Sequence, residues 1–159
     1  MDGVTRFEDL VTWQRLRELE AEVLKIASRS AIARDLRFRS QLIDAAGSAT
    51  RNVAEGFARY NPGEFARFLD IARASATEVR NCLITAREAG SISPDDYLRL
   101  DHLARRGLQT LAKLQRYLRS GAGRRNARRY RYTRGPNPSN PSNPSNDSND
   151  SNDSNDSND

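Results

Sequence analysis

Twice in this chain a capping residue, a proline and an acid stand in the same register: Asn61-Pro62-Gly63-Glu64 and Ser93-Pro94-Asp95-Asp96. A short polar side chain at such a place accepts the unpaired first amides of a helix. Proline has the φ of the first turn and no amide to leave unsatisfied, and a carboxylate two residues on suits the positive end of the helix dipole. Behind each signal the apolar residues recur at three and four. Phe65, Phe68, Leu69, Ala72, Ala76, Val79, Leu83 and Ala86 follow the first until Gly90, while Leu100, Leu103, Gly107, Leu111, Leu114 and Leu118 follow the second until Gly121. Punctuation of this kind leaves room for long helices and little else.

Two earlier segments read the same way. Thr5 and Glu8 form a capping-box pattern that predicts the start of a first helix, with Leu10, Trp13, Leu16, Leu19, Val23 and Ile26 on one face. A second helix is expected from about Asp35, carrying Phe38, Leu42, Ala45, Ala46, Ala49, Val53 and Phe57, whose small members permit a close neighbour. Short connections make sequential helices antiparallel, so the predicted fold is all-α: an up-down-up-down four-helix bundle over residues 1–120. About 120 residues suffice for one hydrophobic core without disulfide or metal staples. Leu10, Val11, Trp13 and Leu16 subtend more than one narrow stripe, and Tyr97, Leu98 and Leu108 widen the last helix in the same way. Such faces predict a contact surface beyond the monomer's own core.

Composition changes after Gly121. An Arg/Tyr-rich stretch gives way to Asn-Pro-Ser and then Ser-Asn-Asp repeats, and residues 121–159 are predicted to be a disordered low-complexity tail, having almost no apolar side chains to offset the entropy of ordering. Six arginines fall within residues 124–134 and five aspartates within 147–159, so of the net charge of +5 most remains on the bundle. Arg124, Arg125, Arg128, Arg129, Tyr130, Arg131, Tyr132 and Arg134 are the candidate nucleic-acid-binding residues, because guanidinium groups neutralise phosphate and interleaved tyrosines stack on bases. The aspartates that follow would compete for the same arginines.

Chemistry has few places to reside. Cys82 is the only cysteine, which excludes an intrachain disulfide and a cysteine-based zinc site, and its neighbours Val79, Leu83 and Ala86 predict a small buried hydrophobe. His102, the only histidine, has no motif tying it to a nucleophile, and Asp95 and Asp96 are explained by capping. Trp13 is expected in the core or an interface. No phosphate loop, metal-ligand spacing or catalytic triad occurs, so no enzyme, no cofactor and no small-molecule substrate is expected. The opening residues lack a basic-then-apolar leader and no apolar run reaches membrane-spanning length, so the expected compartment is the cytoplasm, with no membrane partner. Asn52 and Glu55, and Ser75 and Glu78, each share a helical face at a spacing of three and are the candidate polar network fixing helix register or a subunit interface.

The run Ala45-Ala46-Gly47-Ser48-Ala49-Thr50-Arg51-Asn52-Val53-Ala54-Glu55-Gly56, followed by Glu64-Phe65-Ala66-Arg67-Phe68-Leu69-Asp70-Ile71-Ala72-Arg73-Ala74-Ser75 and Glu78, resembles the bacterial four-helix-bundle family first noticed as reading frames inside 23S ribosomal RNA intervening sequences. The likeness extends from Phe7-Glu8-Asp9-Leu10 and Trp13-Gln14 into the last helix; Ala74 stands where many relatives have glycine. What the resemblance implies is a non-enzymatic bundle that assembles with itself into rings, typically homopentamers. A distant branch of similar fold serves reverse transcriptases of diversity-generating retroelements as an accessory protein, holding nucleic acid on a basic pentameric barrel. Two functions are therefore expected: a self-assembling interaction protein, or alternatively an RNA- or DNA-binding accessory protein.

Overall fold

The computed structural model describes residues 4–59 and 61–123. Every regular element among them is helical, so the fold is all-α: a 3-10 turn at Phe7–Asp9, then α1 (Val11–Ala27), α2 (Ser30–Ala33), α3 (Leu36–Ala58), α4 (Pro62–Glu88) and α5 (Pro94–Arg119). Three of the four long helices open on the expected caps. The Asp35 carboxylate accepts from the Phe38 amide at 3.0 Å, Asn61 Oδ1 from the Gly63 amide at 2.9 Å, and Ser93 Oγ from the Asp96 amide at 3.1 Å. At the end of α4 the Ser91 amide donates to the Ala86 carbonyl and the Gly90 amide to that of Arg87. This Schellman closure needs a left-handed residue, which Gly90 supplies at φ 66°.

The start of α1 differs from expectation. Glu8 lies within the 3-10 turn, the helix opens only after Leu10, and no side chain caps it. The physical reason is apolar: Leu10 is buried and Phe7 meets the Trp13 ring edge-on, 5.3 Å between centroids, which turns the chain before the helix begins. The four-residue α2 was also not expected; it lies within the α1–α3 connection and buries Ile32 against Leu19, Val23 and the other aliphatic side chains of the core.

The α3 helix packs on α4, α4 on α5, and both α3 and α5 on α1. In each pair the contacts climb one helix as they descend the other: Gln41 with Glu78 and Ser48 with Ser75; Arg80 with Asp101 and Asp70 with Gln115; Glu22 with Arg99 and Thr12 with Thr110. The predicted apolar stripes, except Phe68, which is half-buried with Arg59 over its ring, fill two core clusters. One, around Leu19, Val23, Ile26, Leu42, Leu83 and Leu100, is aliphatic; the other, around Leu16, Val53, Phe65, Leu69 and Leu111, takes in Phe7, Trp13 and Phe57 at its edge. Trp13, Tyr97 and Leu108 therefore belong to the monomer's core, whereas Val11 and Leu98 stay 56% and 65% exposed. After Ser120 one further helical turn covers residues 121–123, and the rest of the predicted tail lies outside the described residues.

Candidate functional site

Ser48, Asn52 and Ser75 meet where α3 crosses α4. Ser48 and Asn52 lie one turn apart on α3, and Asn52 Nδ2 donates to the Ser48 carbonyl at 2.8 Å and to its hydroxyl at 3.2 Å. The Ser48 and Ser75 hydroxyls are 2.9 Å apart, and Ser75 Oγ lies 3.0 Å from the Ile71 carbonyl. A hydroxyl has one proton to give. Ser75 spends its proton on Ile71, so Ser48 donates to Ser75 and Asn52 to Ser48, a one-way chain across the seam. Of the four candidate network residues, Asn52 and Ser75 are brought together through this relay. Glu55 and Glu78 stand on exposed positions: Glu55 pairs with Arg59 at 2.6 Å, and Glu78 accepts from Gln41 at 3.1 Å. Sequence reasoning missed Ser48, the bridging residue; its place one helical turn before Asn52 was the available signal.

Charged groups fasten the other seams. Asp101, 7% exposed on α5, takes Arg80 Nε at 2.7 Å on one oxygen and Arg105 Nε at 2.6 Å on the other. Burial alone pushes this carboxyl upward, but the two guanidinium groups outweigh it and leave it below the ordinary range. Buried Gln115 donates to Asp70 at 2.6 Å and to the Ala66 carbonyl at 3.2 Å, tying α5 to α4. Where α1 ends and α5 begins, Arg29 and Arg99 both pair with Asp96, and Arg99 also reaches Glu22. The hydrogen bond from Arg29, then that from Arg99, hold Asp96 at about 2. Arg105 with Asp101 and Arg99 with Asp96 follow helical spacing within α5. Arg80 with Asp101, Gln115 with Asp70, and Arg29 and Arg99 with their partners across the α1–α5 seam could not be assigned from spacing, because each joins residues from different elements.

The remaining candidates are a buried thiol and an exposed imidazole. Cys82 is 2% exposed, and desolvation, then the charge of Glu78, push its thiol pKa up. His102 is exposed on α5. Among the described residues no group of three or more His, Cys, Asp or Glu side chains is placed to hold a metal ion, and no helix is long and apolar enough to cross a membrane. The helix arginines are spread over the molecule: Arg39 donates to the Ala27 carbonyl at 3.1 Å, Arg59 pairs with Glu55, Arg73 with Asp70 and Arg105 with Asp101. Arg34, Arg37, Arg51, Arg67 and Arg106 have no carboxylate within 4.0 Å among the described residues. Arg124, Arg125, Arg128, Arg129, Tyr130, Arg131, Tyr132 and Arg134 lie outside those residues.

No curated protein matches the chain. Residues 8–113, from the 3-10 turn through the core positions of α5 as far as Leu111, match the 23S rRNA-intervening sequence protein family, and the chain belongs to that family.

Proposed function

We propose that this protein works without catalysis, by assembling with copies of itself into a closed ring of about five subunits that presents a surface to a partner in the cytoplasm. One observation carries the reading. Leu24, Leu36 and Leu98 stand 42%, 72% and 65% exposed, and all three lie at the end of the bundle where α1 finishes and α3 and α5 begin. Of the five large apolar side chains left exposed among the described residues, only Val11 and Ile71 lie elsewhere, and a concentration of the other three at one end supports a protein–protein contact there. The ring of about five follows from what the family resemblance implies. Light scattering at micromolar concentration is expected to give a mass near five subunits, and Leu36→Asp with Leu98→Asp to lower it while helicity is retained. A monomer across the concentration range would overturn the proposal.

A second reading, an accessory protein that binds RNA or DNA, is favoured by the six arginines and two tyrosines within residues 124–134. Truncation after Ser120 is expected to keep helicity and assembly and to weaken RNA binding. Deleting only residues 147–159 should strengthen binding, by removing carboxylates that repel phosphate. If the full chain and both truncations bind equally weakly, this reading fails.

A further inference from the structure

The outer face of α5 differs from that of α1 in the balance of its charge. On α1 each exposed base has an acid one turn away: Arg15 with Glu18, Arg17 with Glu20, Lys25 with Glu22. On α5 the only acids are Asp95, Asp96 and Asp101. The first two sit in its first turn, and the third is buried between Arg80 and Arg105. From residue 102 to residue 146 the chain contains no acid at all. Arg106, Lys113 and Arg116 have no carboxylate within 4.0 Å among the described residues. Neighbouring helices do not supply one, since Glu18 is taken by Arg15, and Asp70 by Arg73 and Arg119.

At 3.6 residues per turn these three cations, with His102 and Gln109 between them, fall within about 80° of one another on the side opposite Leu100, Leu111 and Leu118. They span about 15 Å of helix, ten residues at 1.5 Å each. Three unneutralised positive charges in line on a rigid element repel one another, and a linear polyanion relieves that repulsion. The stripe has no large apolar side chain between His102 and Arg116, where an anionic lipid surface would want an anchor to bury. Two of the three cations are arginines, whose planar fork suits phosphate oxygens.

We infer that the outer face of α5, through Arg106, Lys113 and Arg116, is a binding surface for the phosphodiester backbone of a nucleic acid. It goes beyond the second reading above, which rests on residues 124–134, and it places part of the contact on the folded body. Those arginines follow α5 in the sequence, so the two basic segments are consecutive along the chain.

The test measures RNA affinity over a salt series for the full chain, using a single strand and a duplex as separate probes. Each phosphate contact contributes about 0.7 to 0.9 to the slope of log affinity against log salt, so replacing all three cations by alanine should lower its magnitude by roughly 2 to 3. The control carries Arg34→Ala, Arg37→Ala and Arg67→Ala, which removes the same charge elsewhere and should change the slope little. Loss confined to the α5 variant sustains the inference, and the probe that loses more names the source of the phosphates. Equal loss in the control would mean that only net charge matters and would overturn it. Binding that survives the α5 variant but disappears on truncation after Ser120 would overturn it while leaving the second reading standing. If the full chain binds neither probe, both fall, and scattering still judges the assembly proposal. Binding of phosphatidylserine vesicles in place of RNA, lost in the α5 variant, would overturn it in favour of a lipid surface.

Discussion

The α3–α4 and α1–α5 seams each join two long helices, by different means. Between α3 and α4 the fit is steric. A methyl group on Gly56 would sit 2.5 Å from a ring carbon of Phe65 and 2.7 Å from Cβ of Phe68, and a Cβ is fixed to its backbone. Further along, the Ser48–Ser75 contact joins the same two helices through short hydroxyl side chains. Between α1 and α5 the corresponding close point is Gly107, where an added methyl would meet Leu16 Cδ2 at 2.8 Å, the movable end of a flexible side chain. Charge at the rim does more there, through Glu22, Arg29, Asp96 and Arg99. One seam is set by volume and is indifferent to salt; the other tolerates volume and is sensitive to charge.

The largest test removes the side chain that faces Gly107. Leu16 is 1% exposed, and Leu16→Ala should cost about 2 to 5 kcal/mol in denaturant unfolding at one fixed protein concentration. In a Gly107→Ala background the loss should shrink, because the new methyl enters part of the vacated space; strict additivity would break that account of the α1–α5 seam. Next come the glycines themselves. Overpacking costs about 1 to 3 kcal/mol, so Gly56→Ala is expected to be destabilising even after the helical gain of about 1 kcal/mol for alanine over glycine. Gly107→Ala should be near neutral or slightly stabilising. Equal shifts for the two would erase the contrast.

Ser75→Ala should cost about 1 kcal/mol, the net worth of the hydrogen bond with Ser48, with no dependence on salt. The smallest effect belongs to Asp96. Its folded-state pKa is depressed to about 2, so the stability it contributes is present above its ordinary carboxylate pKa and is lost as pH falls through about 2. The melting temperature should therefore fall between about pH 4 and pH 2, and Asp96→Asn should remove part of that fall, the rest arising from Glu8, Glu22 and Asp101, which are also depressed. High salt should weaken the same ion pairs while leaving the Gly56 effect unchanged.

Much of the fold could be read in advance. Asp35, Asn61, Ser93 and Gly90 announced helix boundaries because a cap is a contract among residues within four positions of one another. The buried stripes followed from periodicity alone, down to Leu100, Leu103, Leu111, Leu114 and Leu118 on α5. Thr5 and Glu8 carried the same local signal, yet the helix opened after Leu10, since the apolar demands of Leu10, Phe7 and Trp13 overrode it.

The candidate site was legible only in part. Asn52 and Ser75 were visible as polar residues beside apolar stripes, but the residue that joins them, Ser48, and the separate lives of Glu55 and Glu78 were not. Nor was the fate of Asp101, a carboxylate in an apolar face that two guanidinium groups from different helices make tolerable. Local chemistry within a turn or two therefore determined the four long helices, most of their ends and their buried sides from sequence alone. Tertiary structure decided which polar groups meet across a seam and which apolar ones stay outside, because both depend on the rotation and sliding of one helix against another. That register is set by bulk at Gly56, whose partners Phe65 and Phe68 lie across a turn, and by charge at the α1–α5 rim, where Glu22 and Arg29 meet Arg99 and Asp96 from far along the chain.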